Sequence, residues 1–173
     1  MNKIYSYLSL VLCTLNTKWV IAVIFLFFVN NQSWSQDVIV ANGPGNTYEE
    51  LTAFLAPGHD PIEVPDCNHA SFGNHIDEVY DTSIGGYAYR FFIHVTPDND
   101  RCIDEIDDRQ RNEIKTYHPS PSNLKGIQGE NVIYKWAFKL PAGFQSSPKF
   151  THIHQLKSVG GDFQSMPMYT LTT

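Results

Sequence analysis

Two short stretches of this 173-residue chain carry side chains that do chemistry: Gln110 to Tyr117 (QRNEIKTY) and Phe150 to Asp162 (FTHIHQLKSVGGD). With the period of two that a strand imposes, Arg111, Glu113, Lys115 and Tyr117 share one face of the first. In the second, Phe150, His152, His154, Leu156 and Ser158 share a face, so two imidazoles project side by side. A guanidinium is a planar fork of donors suited to a carboxylate. An imidazole titrates near neutrality and can take or give a proton at working pH. Taken alone, the first stretch also fits a charge-laced exposed strand, where cross-strand ion pairs contribute roughly a few tenths of a kcal/mol.

Other chemistries fit less well. Two histidines at alternate strand positions can hold a metal, as cupin-type jelly rolls do with a downstream Glu. Here QLKSVGGD follows His154 with no Glu, and the first acid, Asp162, lies beyond a Gly-Gly turn, so no metal ligand is assigned. Asp98 to Asp108 (DNDRCIDEIDD) lacks the glycine and terminal glutamate of a twelve-residue calcium loop. A solvated acidic connection is expected there, and no cofactor beyond a structural calcium ion. The chain has no G-x-S-x-G elbow, no glycine-rich phosphate loop and no Cys-x-x-Cys pair. Glu113 has no accompanying Glu-x-Asp-x-x-Glu strand, which disfavours glycoside hydrolysis by paired carboxylates.

Strands must position these groups. Tyr87 to Val95 alternates Tyr87, Tyr89, Phe91, Ile93 and Val95 against Ala88, Arg90, Phe92 and His94. Gln110 to Tyr117 is a second strand, ended by the two prolines of HPSPSN. Asn131 to Leu140 (NVIYKWAFKL) gives the clearest strand pattern, with Val132, Tyr134, Trp136, Phe138 and Leu140 on an apolar face that makes Trp136 a core residue. Phe150 to Val159 is the fourth strand, and Met166 to Thr173 begins a fifth. Residues 36–86 form a loop-rich segment in which only Tyr48 to Leu55 (YEELTAFL) resembles a helix. Strands at regular spacing with little helix predict an all-β fold over 87–173, an antiparallel β-sandwich or β-jelly roll of the concanavalin A-like kind. The fifth strand runs to Thr173 without turn or cap, so the expectation is a domain incomplete at its C-terminus.

Residues 1–35 read as an export signal. Trp19 to Val29 is an unbroken apolar run after Lys18, too short for the ~20 residues of a spanning helix, and Ser33-Trp34-Ser35 suits a cut before Gln36. A secreted or periplasmic protein without a stable membrane span follows; the alternative is an uncleaved N-terminal anchor. Removing Lys3 and Lys18 from 12 basic residues, against 18 acidic ones, leaves a more acidic chain and excludes nucleic acid as the expected partner. Cys13 departs with the signal, leaving Cys67 and Cys102 as an expected disulfide worth roughly 3 to 4 kcal/mol.

Arg-x-Glu on one strand followed by His-x-His on a later one resembles the jelly-roll polysaccharide lyases: alginate lyases, glucuronan lyases and the heparinase I type. In the alginate-lyase branch one strand reads Arg-(Ser/Thr/Asn)-Glu-Leu and a later one Gln-Ile-His. Arg111-Asn112-Glu113-Ile114 is similar to the first, and His152-Ile153-His154 to the second, with His152 in place of Gln. The resemblance covers roughly residues 87–173 and lacks the family's C-terminal tyrosine strand. It implies a secreted monomer that cleaves an acidic, uronate-containing polysaccharide by β-elimination. Arg111 and His152 would neutralise the uronate carboxylate, His154 would be the base, Glu113 would orient Arg111, and Lys115, Tyr117 and Lys157 would line the groove. Plain alternation puts Lys157 on the other face, so its place requires a bulge. The alternatives are a noncatalytic carbohydrate-binding jelly roll and, further off, a cupin-like metal enzyme.

Overall fold

The computed structural model describes residues 36–94, 100–101 and 109–173. The chain divides into two units, Met1–Gln36 and Asp37–Thr173. The segment expected to be an export signal, Cys102 and most of the acidic connection lie outside the described residues. Among the described residues no helix is long and apolar enough to cross a membrane.

The first element is the expected helix, α1, Thr47–Leu55. Thr47, Leu51 and Leu55 recur every four residues and form its buried stripe, while Glu49 and Glu50 favour its first turn through the helix dipole. Pro57 follows the cap at Ala56 and forbids another turn. Next come β1 (Ile62–Glu63) and a 3-10 turn, Asp66–His69. The hairpin β2 (Ile76–Asp81) and β3 (Gly86–Phe91) pairs in full antiparallel register from Ile76↔Phe91 to Asp81↔Gly86. Asp81 shapes its turn, accepting from the backbone N–H of Ser83 at 2.8 Å, and Gly85 takes the positive φ of 66° that the reversal needs.

β4 (Glu113–Ile114) pairs with β1 through Ile62↔Ile114 and Glu63↔Glu113. A second 3-10 turn, Ser122–Leu124, and a final hairpin of β5 (His152–Lys157) and β6 (Pro167–Thr172) complete the order. Regular structure is therefore mostly strand in small antiparallel sheets with little helix. The described ladders make three two-stranded sheets, β1–β4, β2–β3 and β5–β6. Leu51, Leu55, Ile62 and Ile76 form a small core, onto which Tyr48, Val64, Tyr89 and Ile114 pack.

Two strand expectations need correction. The predicted strand over Gln110–Tyr117 contracts to β4 and an isolated bridge between Asp100 and Arg111, because the facing strand β1 is only two residues long. The predicted strand over Asn131–Leu140 enters no ladder among the described residues, and Val132, Tyr134, Trp136, Phe138 and Leu140 are exposed. Alternation records which side chains share a face; a ladder also needs a neighbouring backbone. Trp136, expected in the core, is 46% exposed.

Candidate active site

The first charged group gathers around Glu63. The β1–β4 register sets Glu63 directly opposite Glu113, and Arg111 and Lys115 flank Glu113 at the alternate positions of its strand. Arg111 Nη1 reaches Glu63 Oε2 at 2.8 Å and Glu113 Oε1 at 3.4 Å, and its Nε reaches Asp100 at 3.0 Å. Arg101 spans the same two acids, 2.7 Å to Glu63 and 2.9 Å to Asp100, and Lys115 Nζ also donates to Glu63. Three cations thus face three carboxylates, and a uronate carboxylate that reaches Arg111 must compete with Glu63 and Asp100.

Burial alone would push the Glu63 carboxyl up. Hydrogen bonds with Lys115, Arg111 and Glu113 reverse that and hold it down at about 2. Glu113 moves the other way, pushed up first by burial and then by its hydrogen bond with Glu63. An open cleft of ≈ 370 Å³ lies along this group, lined by Asp60, Ile62, Glu63, Val64, Arg101 and Lys115.

Of the expected groove residues, Tyr117 stands beside this network, with Lys115 Nζ 4.9 Å from its ring centre. Asp100, expected in a solvated loop, is 1% exposed, because Arg101 and Arg111 neutralise it. The other expected calcium-loop acids lie outside the described residues. Cys67 is disulfide-bonded, and its expected partner Cys102 lies outside the described residues too.

The histidine pair sits in the other hairpin. Register shifts interrupt the β5–β6 ladder between His152 and His154 and between Leu156 and Lys157. His152 Nδ1 lies 2.9 Å from Thr172 Oγ1, and the His152 ring stacks on Phe150 at 4.6 Å. His154 is half-buried, 4.8 Å from the Trp136 ring and 6.5 Å from the Tyr169 ring, and burial lowers its pKa. Lys157 is exposed at the end of β5. No third metal ligand joins His152 and His154 among the described residues.

The described structure therefore brings Arg111, Glu113, Lys115 and Tyr117 together, whereas the register shift on β5 sets His152 and His154, expected side by side on one face, opposite the successive β6 residues Thr172 and Leu171. No described ladder joins the two sets. Sequence reasoning missed Glu63, Asp100 and Arg101, which come from segments without periodicity, and missed the pairing of Trp136 and Tyr169 with His154. Comparison with protein-family models, with curated proteins and with solved structures finds no match.

Proposed function

We propose that the chain is a secreted polysaccharide lyase on an antiparallel jelly-roll framework, cleaving a uronic-acid-containing polymer by β-elimination. The observation that carries this reading is the grouping of His154 with Trp136 at 4.8 Å and Tyr169 at 6.5 Å. A half-exposed indole offers a flat, partly apolar face to a sugar ring. Burial lowers the pKa of His154, which favours the neutral imidazole that a general base must be.

In the elimination, His154 takes the proton α to the uronate carboxylate, the freed electron pair forms the C4–C5 double bond, and the C4–oxygen bond breaks. The departing oxygen takes a proton, a role the Tyr169 hydroxyl suits. The substrate carboxylate needs neutralising before its α proton becomes acidic. Lys157 supplies positive charge on the same hairpin and His152 offers hydrogen-bonding ring nitrogens, while Arg111, Arg101 and Lys115 near the cleft are already paired with Glu63, Asp100 and Glu113 and would have to exchange one of these for the substrate carboxylate.

The test is incubation with alginate, glucuronan and heparin while following the absorbance of the new double bond. His154→Ala is expected to lose at least about 100-fold in turnover with an unchanged circular dichroism spectrum, and full turnover in that variant would remove His154 as the base. The exposed row Tyr134, Trp136 and Phe138 favours a second reading, a carbohydrate-binding module without turnover. Binding without absorbance for any of the polymers, weakened by Trp136→Ala, would select it.

A further inference from the structure

We propose that His69, His75 and His94 form a binding site for a single divalent transition-metal ion of the zinc class, with the fourth coordination position open to water. His69 and His75 lie six residues apart and His94 nineteen further on, and the fold assembles them at the open end of the β2–β3 hairpin. His75 immediately precedes β2 and His94 follows β3, whose terminal pair is Ile76↔Phe91. That end is pinned: the Phe92 N–H donates to the His75 carbonyl at 2.9 Å, and Asn112 Nδ2 donates to the carbonyls of His75 and Phe92 at 2.9 and 2.6 Å. His69 closes the 3-10 turn Asp66–His69, which the disulfide at Cys67 ties down.

One ligand atom from each imidazole lies within 4.8 Å of the others. Zinc–nitrogen bonds of about 2.0 to 2.1 Å put tetrahedral ligands about 3.3 Å apart, and two ligands of one ion cannot be separated by more than about 4.2 Å. Closing the ligand atoms by roughly 0.6 to 1.5 Å therefore completes the site. His75, 0% exposed, is the fixed member, and the half-buried His69 and His94 are the members able to adjust.

His75 also has the outer partner that metal-bound imidazoles use. Asp66 Oδ1 accepts from His75 Nδ1 at 2.7 Å, the arrangement in which Nε2 is the ring nitrogen that would donate to a metal. Asp66 is itself held, since the Tyr48 hydroxyl donates to its Oδ2 at 2.8 Å and the His75 backbone N–H to its Oδ1 at 3.1 Å. A set of three imidazole nitrogens suits zinc, copper or nickel better than magnesium or calcium. Phe72 packs on all three imidazoles, with ring centres 4.5 to 5.3 Å away, and shields one side from water. A bound ion would tie the Asp66–His69 turn to both ends of the hairpin.

The inference is independent of the lyase reading, because metal binding is measured with no polysaccharide present. The protein made from the full chain is stripped with chelator, then titrated with Zn2+ by calorimetry and with Co2+ by visible absorption. The expected result is one ion per chain, tetrahedral Co2+ bands, and a melting temperature raised by roughly 5 to 10 °C at a hundredfold excess over Kd. His69→Ala and His94→Ala each weaken binding at least about tenfold, and Asp66→Asn about 10- to 100-fold. His152→Ala with His154→Ala leaves the titration unchanged. Absence of stoichiometric binding, or a titration that survives His69→Ala and His94→Ala but is lost in the His152/His154 double variant, overturns the site.

Discussion

Replacing Glu63 with Gln probes the charge network on β1 and β4. Glu63 is 6% exposed and receives Arg101 at 2.7 Å, Arg111 at 2.8 Å, and Lys115. Burial would raise its carboxyl, yet these donors hold it at about 2 against an ordinary 4.5. A carboxyl lowered on folding stabilises the protein above its unfolded value and loses that contribution as pH falls through the folded one. The window therefore runs from about 4.5 down to about 2. Such a difference has a ceiling of roughly 3 kcal/mol. The three cations are themselves about a third exposed and screened by water, so about 1 to 2 kcal/mol is the working figure.

Glu113 contributes with the opposite sign. Burial and its neighbour Glu63 raise its carboxyl, so its favourable contribution is complete at low pH and is lost as pH rises through that raised value. On acidification from neutrality Glu113 takes its proton first and relieves the repulsion across the Glu63↔Glu113 pair; Glu63 titrates later. Urea unfolding between pH 7 and pH 2 reads both events. The stability difference between wild type and Glu63→Gln should shrink by about 1 to 2 kcal/mol below pH 4.5, while Glu113→Gln should lose the gain in mild acid. Parallel curves for wild type and Glu63→Gln over that window would refute the network.

Four further outcomes are expected. Asn112→Ala leaves the His75 and Phe92 carbonyls without their shared donor and should cost about 1 to 2 kcal/mol in urea unfolding. Tyr48→Phe removes the hydroxyl that donates to Asp66 and accepts from the His75 N–H, a loss of about 1 to 2 kcal/mol by the same measurement. Cys67→Ser opens a disulfide and should lower stability by roughly 3 kcal/mol, with wild type brought to the same level by reductant. If the cleft beside Glu63 takes uronate oligomers, protonation of Glu113 removes one of the three carboxylates that face Arg101, Arg111 and Lys115. Calorimetric affinity should then rise as pH falls through the raised Glu113 value, and Glu113→Gln should bind tightly without that dependence.

Where the sequence was legible, one element carried the whole signal. The helix at Thr47–Leu55 and the hairpin strands β3, β5 and β6 follow from local periodicity alone. Strand β2 hid in the loop-rich segment because its inward residues are Ile76 and Glu78, and a carboxylate scores as solvent-facing. Glu78 goes inside because the backbone N–H groups of Asn42 and Gly43 donate to its Oε2 at 2.6 and 2.7 Å, compensating part of the desolvation of a buried charge. Asn131–Leu140 failed in the opposite sense. Its alternation is strong, but a pattern within one segment says nothing of a partner backbone.

The same limit decides which sites can be read. Arg111, Glu113 and Lys115 were legible because one strand presents them on one face, whereas the acids that engage them, Glu63 and Asp100, arrive from elsewhere. Local spacing draws the eye to His152 and His154, to which no metal is assigned from sequence. The register shift between His152 and His154 sets them opposite the successive β6 residues Thr172 and Leu171, so alternation along β5 does not bring their rings to one ion. His69, His75 and His94 show no motif spacing, yet their ligand atoms already lie within 4.8 Å, because pairing Ile76 with Phe91 forces the two ends of a hairpin together beside a tethered turn. Ligand distance follows from which backbone segments the ladder brings together, and in this chain that favours the hairpin's open end over the His-x-His strand.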